Sequence, residues 1–123
     1  MTRDRESFLF DIYDSAVFLL GFTQNENFNR YQKDRAFRRV IERELQIIGE
    51  AMFQLGKLDS ALAARISESE RIIGFRHVIV HGYFDLKPDV VWSVLKNKLG
   101  TLSDEVKTLL TDAGFPPDEV NGK

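Results

Sequence analysis

The feature that most constrains this chain is an apolar stripe through its middle third. Phe37, Ile41, Leu45, Ile48, Met52 and Leu55 recur at steps of three and four residues, the repeat of one helical face. The spacing predicts a long helix from about Tyr31 to Leu55, capped by Gly56. One apolar face on so long a helix has to be met by other elements, and the rest of the chain offers helices. Residues 4–20 carry Phe8, Ile12, Ala16 and Leu19 at helical spacing, with Gly21 closing the element. The polar segment FTQNENFN reads as a turn, and a short helix is expected over 60–67. Pro88 suits the first turn of a final helix through Val91, Val94, Leu95, Leu102, Val106 and Leu109 to Gly114, with Gly100 as its weak point. Between them, residues 70–81 have apolar side chains around much of the wheel (Ile72, Ile73, Phe75, Val78, Ile79, Val80), which predicts a well-buried helix. Valine and isoleucine also favour strands, but no other segment offers a strand partner, and Gly82 supplies a helix stop. The predicted fold class is all-α: an antiparallel bundle of four to five helices over residues 1–114, followed by a flexible C-terminal tail, 115–123.

At 123 residues the chain is one domain, large enough to bury a core without covalent staples. The absence of cysteine removes disulfides, thiolate metal sites and a cysteine nucleophile, and suits a reducing compartment. The N-terminal MTRDRESFLFD has charges but no apolar run after them, and no segment reaches the ~20 apolar residues of a membrane span. The expectation is a cytoplasmic protein with no membrane contact. Net charge is −2, yet Arg30, Lys33, Arg35, Arg38, Arg39 and Arg43 cluster against only Asp34 and Glu42. Arg35, Arg39 and Arg43 recur every four residues on a face about 160° from the apolar stripe. Such a face is either solvated and paired internally, for instance Arg38 with Glu42, or a phosphate track that steers RNA.

Both histidines of the chain lie in GFRHVIVHGYF, residues 74–84. Three chemistries compete for this stretch. A metal site would use His77 and His81, about 6 Å apart on one helical face. It would need further carboxylates such as Glu50, because Val78 stands where zincins place glutamate and no third histidine exists. The adjacent Arg76 disfavours a dication, so no metal or other cofactor is expected. A structural reading pairs Arg76 with Glu42 or Glu50 and packs the Tyr83 ring. The third reading is acid–base chemistry on a phosphodiester. Histidine moves protons near neutral pH, and a guanidinium grips phosphate at two points and stabilises charge developing on its oxygens. Arg76 and His81 stand about 140° apart around the axis, so a long arginine must reach round or a second subunit must contribute.

The same residues carry a family resemblance. Arg76-x4-His81, extended to His81-Gly82-Tyr83, is similar to the R-x4-6-H pattern of HEPN domains. With IIGEA at 47–51, RIIGFRHVIVHGYF at 71–84 and a proline-started helix bearing Trp92, residues 5–110 resemble the HepT group of HEPN toxins. The resemblance implies a small α-helical, metal-independent ribonuclease, active as a homodimer or higher homo-oligomer, with the motifs of two subunits facing one cleft. It implies Arg76 and His81 as the catalytic pair. It also implies transfer RNA as the RNA partner and a minimal nucleotidyltransferase (MNT) antitoxin that silences the toxin by adding AMP to Tyr83. Many members have asparagine after the arginine where this chain has His77, which leaves His77, like Glu50, an auxiliary candidate. The basic Arg35, Arg39 and Arg43 are candidate RNA contacts. The rival function is a non-catalytic, nucleotide-binding or accessory subunit of a nucleotidyltransferase, which needs Arg76 but not the proton chemistry of His81.

Overall fold

The computed structural model describes residues 4–82 and 86–117. Among these residues seven helical segments follow one another: α1 (Arg5–Phe22), α2 (Phe28–Lys33), α3 (Arg35–Leu58), α4 (Ser60–Ala63), α5 (Ser69–His81), α6 (Pro88–Asn97) and α7 (Leu99–Asp112). No strand occurs among the described residues, so the helical reading of 70–81 holds.

The stripe on α3 is the centre of the core: Phe37, Ile41, Leu45, Ile48, Met52 and Leu55 are all buried. Burying such side chains stabilises the fold by about 1.5–3 kcal/mol each. The helix α1 runs antiparallel to α3. Its start is tied to the far end of α3 by Arg5 donating to Asp59 at 2.9 Å, and its end stacks Phe22 on Phe37 with centroids 5.0 Å apart. Lys96, just before α7, donates to the Thr23 carbonyl at 3.0 Å at the end of α1, and α7 then packs back along α1. The opposite side of α3 receives α5, again antiparallel: Gly49 and Glu50 meet Ile72 and Arg76, whereas Arg38 and Arg39 lie near Val78 and Gly82. Ahead of α5, the Ser67 amide and hydroxyl donate to the two carboxylate oxygens of Glu105 at 2.9 and 2.6 Å, which moors the start of α5 to α7.

Several boundaries differ from the sequence reading, each for a local reason. The helix expected from Tyr31 is two elements, because Asp34 adopts an extended backbone (ψ 103°) and its carboxylate accepts the Phe37 amide at 3.1 Å. Tyr31 therefore belongs to α2. The Phe37 amide, and after it the Arg30 guanidinium, hold the Asp34 carboxyl below the usual range. At the other end α3 runs through Gly56 to Leu58, where Asp59 ends it and caps α4 by accepting the Leu62 amide at 3.0 Å. Likewise α1 passes Gly21 and stops at Phe22, and α4 is a single turn. The last helix does break, but at Lys98 (φ −122°), with Gly100 lying inside α7. Gly82 and Gly114 cap α5 and α7 as expected, with φ of +69° and +93°. Past Gly114 the Phe115 amide donates to the Leu110 carbonyl at 2.8 Å and Pro117 is buried; the rest of the expected tail, 118–123, lies outside the described residues.

The largest departure concerns α5. Of the six apolar residues expected to be buried, only Ile72 and Phe75 are; Ile73, Val78 and Ile79 are half-buried and Val80 is 45% exposed. Among the described residues the helix leans on α3 with one face, and its other face carries exposed side chains.

Candidate active site on the fifth helix

The outer face of α5 carries His77, Val80 and His81, all exposed. The imidazoles stand at i and i+4 on one face, with ring centroids 4.4 Å apart and planes inclined by 56°. His81 is the last helical residue, and Gly82 caps the helix in a left-handed conformation that glycine adopts without strain. Tyr83, two residues on from His81, lies outside the described residues.

Arg76 occupies the flank of the same helix that faces α3. Its Nη2 pairs with Glu50 Oε1 at 2.7 Å, which decides between the two acids named as partners, Glu42 and Glu50. The second oxygen of Glu50 accepts from Gln54 Nε2 at 3.0 Å, and the Arg76 guanidinium carbon stands 5.5 Å from the Phe53 ring centroid. The carboxylate and the ring thus hold the guanidinium from one side. Nε of Arg76 is buried without a hydrogen-bond partner among the described residues. A guanidinium offers five N–H donors, so this one is under-used as it stands. That suits a group whose second partner is an anion brought from outside.

Arg76 reaches this position because of Gly49. A β-carbon at Gly49 would collide with the Arg76 Cβ and lie 2.9 Å from the Ile72 carbonyl oxygen. The IIGEA block is therefore a contact surface: glycine lets the two backbones approach, and the next residue, Glu50, binds the arginine. From the sequence Gly49 enters only within the IIGEA block, and Phe53 and Gln54 have no assigned role. Glycine in the middle of an otherwise apolar-periodic helix was the one available signal for the first of them.

The structure ties Arg76 to α3 and sets His81 at the exposed end of α5. Among the described residues no three of His, Cys, Asp and Glu gather in a group that could hold a metal ion. Beside the end of α5, a cleft of about 550 Å³ opens between α2, α3 and the start of α6. Arg39, Glu42, Ile79 and Gly82 are among its walls. The Arg38 guanidinium there does not pair with Glu42. It donates to the Gln32 and Tyr31 carbonyls at 2.7 and 3.3 Å and so closes the end of α2. Burial, reinforced by the Glu42 carboxylate and opposed by Arg38, pushes the Tyr31 phenol well above its usual range, so it stays a neutral hydroxyl. Arg35, Arg39 and Arg43 are exposed and form no ion pair among the described residues, and of the three Arg39 lines the cleft.

The family model described as Ribonuclease HepT-like matches residues 12–109, which hold every contact just described around Arg76 and His81. The chain belongs to the HepT-like ribonuclease family. This HepT-like chain is 28% identical to a proposed RNase of Methanocaldococcus jannaschii over 85% of its own length and 95% of that protein. It is 28% identical to a proposed RNase of Caldanaerobacter subterraneus subsp. tengcongensis (84% and 91% covered), and 26% identical to a probable ribonuclease HepT of Thermococcus cleftensis (89% and 98%). No solved structure matches the HepT-like chain. These relatives support ribonuclease activity in general. No helix among its described residues is long and apolar enough to cross a membrane.

Proposed function

We propose that this protein is the ribonuclease toxin of a toxin–antitoxin pair, cutting RNA without a metal ion at a site built from Arg76 and His81. The observation that carries the reading is a guanidinium held by Glu50 on the same short helix that ends in an exposed imidazole. In the reaction the 2′-hydroxyl attacks the adjacent phosphorus and the bond to the 5′-oxygen breaks. The products are a 2′,3′-cyclic phosphate and a 5′-hydroxyl. One imidazole takes the proton from the 2′-hydroxyl and one gives a proton to the leaving oxygen, while Arg76 binds the scissile phosphate and stabilises the pentacoordinate transition state.

Two proton-transfer groups are needed, and Arg76 and His81 diverge around the helix. Both facts favour a homodimer in which the partner's pair completes the cleft. The exposed face of α5, with Val80 exposed beside the imidazoles and Phe53 exposed next to Arg76, supports a second copy there. Transfer RNA is the substrate the family resemblance points to, in the cytoplasm. The antitoxin is a nucleotidyltransferase that adds AMP to Tyr83, placing bulk and a negative phosphate two residues from His81.

The test uses purified, nuclease-free protein with total RNA in the presence of a chelator. Wild type is expected to cleave, and His81→Ala to lose about 10²-fold or more of the rate. Undiminished cleavage by His81→Ala would overturn the mechanism, and cleavage that stops in chelator would overturn metal independence. Tyr83→Phe is expected to escape the cognate transferase with ATP, and its neutralisation would exclude Tyr83 as the acceptor.

A further inference from the structure

The cleft beside the end of α5 is lined by two charged side chains that no other described side chain neutralises. Arg39 and Glu42 sit three residues apart on α3 and both line it, yet neither makes an ion pair or hydrogen bond among the described residues. Their neighbour Arg38 is committed to the carbonyls that end α2. The lining also includes apolar side chains: Val78 and Ile79 from α5, Leu86 just before α6 and Pro88 at its start. Such a site suits a ligand with an anionic end for the guanidinium, hydrogen-bond donors for the carboxylate and a flat apolar body between them. A nucleotide has all three, and the volume of about 550 Å³ accommodates one.

We infer that this cleft holds one nucleotide of the RNA next to the cut bond, with Arg39 on its phosphate and Glu42 selecting guanine. The inference rests on the ribonuclease reading above. The adjacency comes from Gly82, which lines the cleft and directly follows His81. A carboxylate presents two acceptors side by side, and only guanine answers with two adjacent donors, N1–H and N2–H. Adenine and cytosine set one amino group beside an acceptor, and uracil has acceptors on both sides of its N3–H. An unpaired RNA base can be read on that edge, because it is not engaged in a duplex. The buried Tyr31 hydroxyl, kept neutral, adds no charge to compete with Glu42.

The experiment measures equilibrium binding of the full chain to 2′-O-methyl octanucleotides by fluorescence anisotropy. Lacking a free 2′-hydroxyl, these oligonucleotides cannot be cut. One alternates guanine and uracil, and the other is uracil alone. Wild type is expected to bind the guanine-containing strand tighter, on the order of tenfold. Glu42→Gln, nearly isosteric, is expected to bring the two strands within about twofold of each other. Arg39→Ala is expected to weaken both strands alike and to lower the salt slope by about one. Thermal melting confirms that each variant is folded.

An unchanged guanine preference in Glu42→Gln, or no measurable guanine preference in wild type, overturns the inference and leaves the chemistry assigned to His81 untouched. Displacement of the strand by guanosine monophosphate at equally low concentration makes the cleft a mononucleotide site and overturns the RNA assignment. Conversely, a Glu42-dependent guanine preference without any cleavage of ordinary RNA supports guanine selection by Glu42 but refutes the ribonuclease mechanism, and with it the placement beside a cut bond.

Discussion

Gly49→Ala tests the contact that brings the two helices of the site together. The added methyl would meet the Arg76 Cβ and lie 2.9 Å from the Ile72 carbonyl oxygen. Both atoms belong to or adjoin backbone and cannot swing aside, so α5 has to move outward. Overpacking of this kind costs about 1–3 kcal/mol, while replacing a mid-helix glycine by alanine returns up to about 1 kcal/mol of helix propensity. The expected net change is a loss of up to about 2 kcal/mol. Gly56 provides the control on the same helix, because a β-carbon there meets nothing within 4 Å. Gly56→Ala keeps the propensity gain alone and is expected to stabilise by up to about 1 kcal/mol. The two variants thus lie on either side of wild type, separated by the overpacking cost of about 1–3 kcal/mol, or roughly 4–12 °C in Tm for a domain of this size. Urea and thermal melts followed by far-UV circular dichroism read the difference directly. A Gly49→Ala protein as stable as Gly56→Ala would refute the close approach, and with it the explanation of why Arg76 reaches Glu50.

Glu50→Gln is expected to lower kcat/KM for RNA by roughly tenfold to a hundredfold, because a misplaced phosphate-binding group loses alignment. Its stability should change by less than about 1 kcal/mol, since the carboxylate is 44% exposed; equal kcat/KM in the two proteins would show that Arg76 needs no such holder. The Asp34 carboxyl is depressed in the folded chain, so its contribution is complete above its ordinary value of 3.8 and is lost as pH falls through its lower folded value. Asp34→Asn keeps an N-cap acceptor, so its Tm is expected to fall less steeply than that of wild type below about pH 4; parallel Tm profiles would remove Asp34 from the acid response.

The apolar stripe of α3 was legible because one helix face is a local property of the sequence, and all six of its residues are buried. Gly82 and Gly114 were legible for a similar reason, since a left-handed cap asks for glycine by itself. What a single helix cannot reveal is what lies against it. Gly49 is required by a side chain on α5, so its meaning appears only when α3 and α5 are side by side. The same blindness made residues 70–81 read as well buried, because periodicity shows which faces are apolar but not which are covered. Asp34 divides α2 from α3 through a side-chain hydrogen bond to Phe37 that competes with a strong stripe, and the stripe hid it. At the site, the arginine–histidine motif was readable, whereas the choice of Glu50 over Glu42 as partner required the antiparallel register of α3 and α5.

The one-sided docking of α5 also bears on how this molecule breathes. With two buried side chains and a single principal neighbour among the described elements, α5 has less to lose by detaching than α1 or α3, which share the centre of the core. Its amides will therefore exchange with solvent through a partial opening that spares the remaining bundle, at a free energy below that of global unfolding. Any second body that clamps the outer surface of α5 raises that cost, so slowed exchange confined to this helix would report its capture by a partner.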